Sequence, residues 1–276
     1  MKLVGKLLLY FVLAQIIGLF TGIVVFLDIL ENPYVNSLVV TTDADDPMNA
    51  IFFLSYIIAG AVGMIIVIRF LKLPMIFRIL EFFLIAGASS IVFYAVLRFS
   101  FGFELSMIIG ILLGLLLSVA KYFRPFLKNF AVILATAGVG VVFGVSLGLV
   151  PLIIFLILLS IYDYSAVFFT KHMVELANYV VKKDLAFTIT AREMLPGRKE
   201  RRIDLGTGDL IAPVMLEVST LTFNPVATVF VFIGSVVAMA VFLSLVWKKK
   251  VVLPALPPIV AGMLIGLGIG SVLGFY

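Results

Sequence analysis

Leu205-Gly206-Thr207-Gly208-Asp209-Leu210-Ile211-Ala212-Pro213-Val214-Met215-Leu216-Glu217 decides how this chain is read. The stretch opens a long apolar run, yet it sets a carboxylate, Asp209, just inside that run and behind two glycines, Gly206 and Gly208. An ionisable side chain at the centre of a membrane helix costs roughly 2.5–3.5 kcal/mol on insertion scales, so such a residue is a functional candidate by default. Tyr162-Asp163, near the end of another long apolar run, poses the same problem. Two membrane aspartates able to meet would make an acid–base pair.

The surroundings of that stretch call for a membrane. Of 276 residues 63% are hydrophobic, and the mean hydropathy is +1.27. A soluble domain of this length has no use for so much apolar surface, so a polytopic membrane protein is expected. Zero cysteines exclude disulfides, thiolate metal sites and cysteine nucleophiles. With His172 as the single histidine, no metal and no cofactor are expected. The net charge of +5 is confined to short loops, which points to membrane orientation and not to nucleic acid. Lys2 and Lys6 precede the first apolar segment, which lacks an obvious small-residue cleavage site and reads as a retained span.

Nine apolar stretches are long enough, or nearly so, to cross a bilayer as helices: 7–26, 50–68, 79–97, 105–120, 130–148, 149–169, 205–223, 225–247 and 251–275. The fifth and sixth run together and are split at Gly148-Leu149-Val150-Pro151, because glycine closes one helix and proline opens the next. The charges test this count. With the N-terminus cytoplasmic and sides alternating at every span, each of the 20 Lys and Arg residues except Arg98 falls inside. The first outer loop is acidic instead, with Asp28, Glu31, Asp43, Asp45 and Asp46. The expected fold is an all-α bundle of nine transmembrane helices in the cell membrane, N-terminus cytoplasmic and C-terminus outside. It forms one membrane domain: spans one to six over 1–169, a basic cytoplasmic loop over 170–204, and spans seven to nine over 205–276.

The loop over 170–204 carries a turn signal at Pro196-Gly197 and a charge run to Arg202. Its composition predicts a solvated, partly disordered segment, while its place between the two Asp-bearing spans allows a gate or a flap that engages substrate. Residues 170–177 read as a helical continuation of the sixth span.

The sixth span runs inward and the seventh outward, so both aspartates lie toward the cytoplasmic half. Asp163 stands about six residues before the inner end and Asp209 about four after the inner start, so their depths differ by a few ångströms. Consecutive antiparallel helices are expected neighbours. Two carboxyls in a low-dielectric site do not both ionise readily, which gives one general base and one general acid around a single water. The base deprotonates the water that attacks a peptide carbonyl; the acid protonates the carbonyl oxygen and then the leaving nitrogen. The same pair would serve a proton or cation pathway in a transporter or leak channel, and depth alone does not separate the two readings. Glu217, eight residues on and about 80° round the helix, is expected to bond a neighbouring helix or face water.

Leu253-Pro254-Ala255-Leu256-Pro257-Pro258 opens the ninth span, and its three prolines exclude regular helix there. In lipid such backbone survives only where protein or water shields it, so its polar groups face an interior cavity where a substrate strand could add, or else it is a simple start to the helix.

Tyr162-Asp163, Gly206-Thr207-Gly208-Asp209 and Pro254-Ala255-Leu256, in that order on spans six, seven and nine, resemble the presenilin and signal peptide peptidase family of intramembrane aspartyl proteases. The run from Tyr162-Asp163 to Thr170-Lys171-His172-Met173 is similar to the archaeal presenilin-like branch. The resemblance implies Asp163 and Asp209 as catalytic residues, with Tyr162, Gly206, Thr207, Gly208, Pro254, Ala255 and Leu256 shaping the site and binding substrate. At Thr207 the family more often has leucine, and the residue is implied to sit beside the scissile bond. The cytoplasmic basic loop gives the presenilin-like orientation, and with it transmembrane substrates whose N-termini lie outside. A prepilin-peptidase-like enzyme shares Gly-x-Gly-Asp, but nine spans and the Pro-Ala-Leu element stand against it.

The glycines at 206 and 208 let backbone approach substrate or a neighbouring helix closely. Gly140, Gly144 and Gly148, and again Gly262, Gly266, Gly270 and Gly274, form small-residue stripes at four-residue spacing, as do Gly110 and Gly114. They are expected at helix contacts, within the chain or in a homo-oligomer. Trp247 with Lys248, Lys249 and Lys250 reads as a membrane-surface anchor.

Overall fold

The computed structural model of the chain describes residues 2–71, 74–169, 176–177, 179–181, 183, 185–194, 200–249 and 253–276. They form a helical bundle with one small sheet. Helix α1 runs Lys2–Glu31, α2 Met48–Ile66, α3 Pro74–Leu97, α4 Phe103–Phe123, α5 Lys128–Ser146 and α6 Leu149–Phe168. Strands β1 (Thr188–Met194) and β2 (Glu200–Gly206) follow, then α7 (Thr207–Phe223), α8 (Pro225–Lys249) and α9 (Leu256–Val272). The breaks sit where the chain chemistry demands them. Gly148 is the extended cap of α6, with Pro151 in the first turn. Pro225 opens α8, and Asn224 caps it by accepting the Val226 N–H at 2.8 Å.

Among the described residues, seven helices are long and apolar enough to cross a membrane. Helices α7 and α9 have 17 residues each. That is about 25 Å, against a hydrocarbon core of about 30 Å. The seventh and ninth expected spans are thus helical but start late. Leu205 and Gly206 belong to β2, and α9 begins only at Leu256, with residues 251–252 outside the described set. Pro257 and Pro258 fall in the first turn of α9, where the missing N–H groups would have no helical partner.

Helix α7 is the centre of the bundle, packed by α1, α5, α6, α8 and α9. From Ala212 to Thr220 every residue is buried. The contact with α5 and α1 depends on absent side chains. A Cβ on Gly140 would stand 2.6 Å from the Val214 Cβ, and one on Gly144 would stand 2.7 Å from the Val218 Cβ. Gly22 of α1 would meet the Val218 Cγ2 at 2.7 Å, and Gly18 closes on Val214. Gly110 and Gly114 lie against the α3 backbone, and Gly262 and Gly266 against that of α8. These stripes are therefore spent within the chain, which removes the sequence argument for a homo-oligomer built through them. Three glycines depart from the stripe reading. Gly148 abuts Asp45 of the first outer loop, Gly270 faces the Tyr276 ring, and Gly274 turns the chain with φ +73.

Arg98, the one basic residue on the wrong side of the charge pattern, is neutralised by Asp28, with Nε to Oδ2 at 3.0 Å. Asp28 also accepts the Tyr94 hydroxyl.

The connecting segment differs from the sequence expectation. Instead of a solvated loop, β1 and β2 pair antiparallel, with Thr188 opposite Gly206 and Ala191 opposite Ile203. Ile189, Ala191 and Leu205 are buried, and Ile189 packs across from Leu205 in the main core. Arg202, the end of the charge run that suggested disorder, pairs with Asp204 at 2.7 Å. Trp247 is not a bare anchor: the Arg201 guanidinium lies 5.0 Å over its ring. His172, residues 170–175 of the helical continuation expected over 170–177, the Pro196-Gly197 turn and Lys250 lie outside the described residues.

Candidate active site

Asp209 occupies the third position of α7, after Gly206 as cap, Thr207 and Gly208. A carboxylate at that position can reach back to the cap residue's own N–H, the second half of a capping box. In the structure the Gly206 amide faces the Asp209 carboxyl. Oδ2 of Asp209 lies 3.3 Å from where a Cβ on Gly206 would stand. The turn is fixed one residue further on, where the Thr207 N–H donates to the Phe187 carbonyl at 3.2 Å, closing the hairpin as the helix starts.

Asp163 approaches from the last part of α6, which packs on α7 and α9. Its carboxylate and that of Asp209 lie within electrostatic range of each other. The backbone amide of Leu256 faces Asp163. That amide is one of the first-turn donors of α9, which have no carbonyl to bond within their own helix. Asp209 thus lies in the first turn of α7 and Asp163, on α6, faces the first turn of α9, so each carboxyl is near the positive dipole end of a helix.

The structure thus brings Asp163, Asp209, Gly206 and Leu256 together. Pro254 and Ala255 flank them, both buried, and Ala255 caps α9. Tyr162 is half-buried and within the field of Asp163. Thr207 is half-buried, and Gly208 is exposed. A Cβ on Gly208 would meet nothing within 4 Å, and one on Gly206 would meet only Asp209. Helix packing accounts for neither glycine.

Glu217 does not join the pair. It lies eight residues on, about 12 Å along α7, fully buried, and among the described residues neither carboxylate oxygen has a hydrogen-bond partner. The expectation that it bonds a neighbouring helix or faces water is not met.

Sequence reading overlooked β2 as the lead-in to the site. The signal was present as alternation, Ile189-x-Ala191 and Ile203-x-Leu205, which is period two and not the period of a helix.

The model of the family described as "Signal-peptide peptidase, presenilin aspartyl protease" matches residues 8–275. No curated protein matches in sequence. Two solved structures are similar in fold, each a presenilin family intramembrane aspartate protease. One, in space group C222, has a TM-score of 0.65 at 22% identity, covering 97% of this chain and 96% of its own. The other, in space group P2, has a TM-score of 0.61 at 24% identity, covering 95% and 97%. Paired aspartates at the mouths of two helices, in a bundle of this fold and matched from end to end by that family, lead to one conclusion: the chain belongs to the signal-peptide peptidase and presenilin family of aspartyl proteases.

Proposed function

We propose that Asp163 and Asp209 are the catalytic dyad and that the protein hydrolyses peptide bonds within transmembrane helices. The observation that carries this reading is the convergence of the two carboxyls, from consecutive helices, on the amides of Gly206 and Leu256. One carboxyl holds a proton and the other takes one from a water between them. The hydroxide attacks the scissile carbonyl carbon. The protonated aspartic acid gives its proton to the carbonyl oxygen, and the gem-diol collapses as the leaving nitrogen is protonated. No metal or cofactor is required for these steps. The transporter alternative has no support from the family or the fold.

A helical substrate hides its carbonyls in its own hydrogen bonds, so it must unwind locally. Two stretches of non-helical backbone border the dyad, β2 and residues 253–255. β2 pairs on one edge with β1, so an opened substrate could add along its other edge and reach the space beside Gly208. In this reading α7 and α9 complete nine spans, with the N-terminus cytoplasmic, the C-terminus outside and substrates entering with outside N-termini. Membership of the archaeal presenilin-like branch and residence in the cell membrane belong to the same reading.

Detergent-purified protein incubated with a transmembrane peptide provides the test. Asp163→Ala and Asp209→Ala should each abolish cleavage while leaving the helical circular dichroism unchanged. Cleavage that survives Asp209→Ala removes the mechanism.

A further inference from the structure

β2 runs without interruption into Gly206-Thr207-Gly208-Asp209, so the height and rotation of Asp209 depend on where the hairpin is fixed. β1 is held from two sides. Asn129, in the first turn of α5, donates from Nδ2 to the Thr190 carbonyl at 2.8 Å and accepts the Thr190 N–H on Oδ1 at 3.1 Å. This is the two-way exchange that one strand residue makes with another. Just upstream, the buried N–H of Ala186 donates to Oε1 of Glu81 on α3 at 2.7 Å. Glu81 is itself ion-paired with Lys121 on α4. Beyond these anchors Phe187 accepts the Thr207 N–H, and Thr188 pairs with Gly206.

Asn129 reads register in a way an apolar contact would not. The N–H and C=O of a strand residue point to one edge, and those of its neighbours to the other. A slip of β1 by one residue would turn the backbone of Thr190 away from Asn129 and send every side chain to the wrong face. The polar contact therefore excludes one-residue slips of the hairpin, and the setting it holds fixes Asp209 opposite α6.

We propose that Asn129 is a positioning residue for the aspartyl chemistry, with Glu81 as a second anchor. Both act through β1 to hold Gly206–Asp209 in register against Asp163. The proposal rests on the reading of Asp163 and Asp209 as the dyad.

The full-length protein, with a transmembrane peptide as substrate, supplies the test; kcat, KM and the cut positions by mass spectrometry are the readouts. Asn129→Ala should lower kcat by about 10- to 100-fold, the size of effect that a misplacement of about 1 Å produces. KM should stay within about twofold, as expected when transition-state geometry and not binding is lost. Cuts should spread to neighbouring bonds. Asn129→Asp keeps the shape and the acceptor but turns a second oxygen toward the Thr190 carbonyl. It should act in the same direction, and it carries the test if the alanine variant does not fold. Glu81→Gln, which keeps an acceptor, should shift the cuts more weakly. Folded Asn129 variants that cut one bond at the wild-type kcat, or that change only KM, overturn the proposal. With Asp209→Ala inactive in the same assay, that outcome leaves the dyad standing. Cleavage by Asp209→Ala instead removes the dyad itself.

Discussion

Glycine does two different jobs in this chain, and the difference is measurable. At Gly140 an added methyl would stand 2.6 Å from the Val214 Cβ, closer than real Cβ atoms come. At Gly208 it would meet no neighbour. Gly140→Ala should therefore destabilise the protein by about 1–3 kcal/mol through overpacking. Gly208→Ala should leave stability unchanged or raise it by up to about 1 kcal/mol from helix propensity. Yet it should lower kcat/KM, because the open space beside Gly208 is where the substrate backbone is read to run. Thermal unfolding and peptide cleavage on both variants check the pair; an active, destabilised Gly208→Ala would contradict it. The site was largely legible at this scale. Asp209 and Asp163 stand out because a carboxyl in an apolar run is costly enough to require a reason. Glu217 was equally visible, but its neighbours were not, and its lack of a partner among the described residues emerged only from packing. Glu81 and Asn129 could not be read at all: each meets a residue far along the chain, Ala186 or Thr190, and no local pattern marks such a meeting.

At the level of elements, apolar run length made the helices readable, and the same measure concealed the hairpin. β1 and β2 have seven residues each, too few to outvote the charges around them, and their alternation involves only Ile189, Ala191, Ile203 and Leu205. Run length also placed the start of α7 within β2, since Leu205 is apolar in either conformation. Ile189 is fully buried in the main core. Ile189→Ala should cost about 2–4 kcal/mol. It should also reduce kcat more than a surface change on the same hairpin, such as Arg201→Lys. Chemical denaturation with parallel activity assays measures both. Equal kcat in the two variants would show that the hairpin's seating does not reach the proposed dyad.

For the molecule as a whole, charge asymmetry sets the expected orientation, and the sequence offers an unusually clean way to test it. With no native cysteine, single-cysteine variants can be labelled without background. Ser37→Cys should react with a membrane-impermeant maleimide on intact cells, while Lys183→Cys should react only after permeabilisation. The reverse pattern would invert the topology. The fold has a further consequence for how the enzyme works. Two pairs of glycines lock Val214 and Val218 of α7 between α1 and α5, whereas α6 leans on α2, α7 and α9 without any such interlock. The Asp209 side is the stator. With Asp163 and Asp209 as the proposed dyad, any stroke that opens or shuts the gap between them falls to the helix bearing Asp163, moving against an α9 that Gly262 and Gly266 hold to α8.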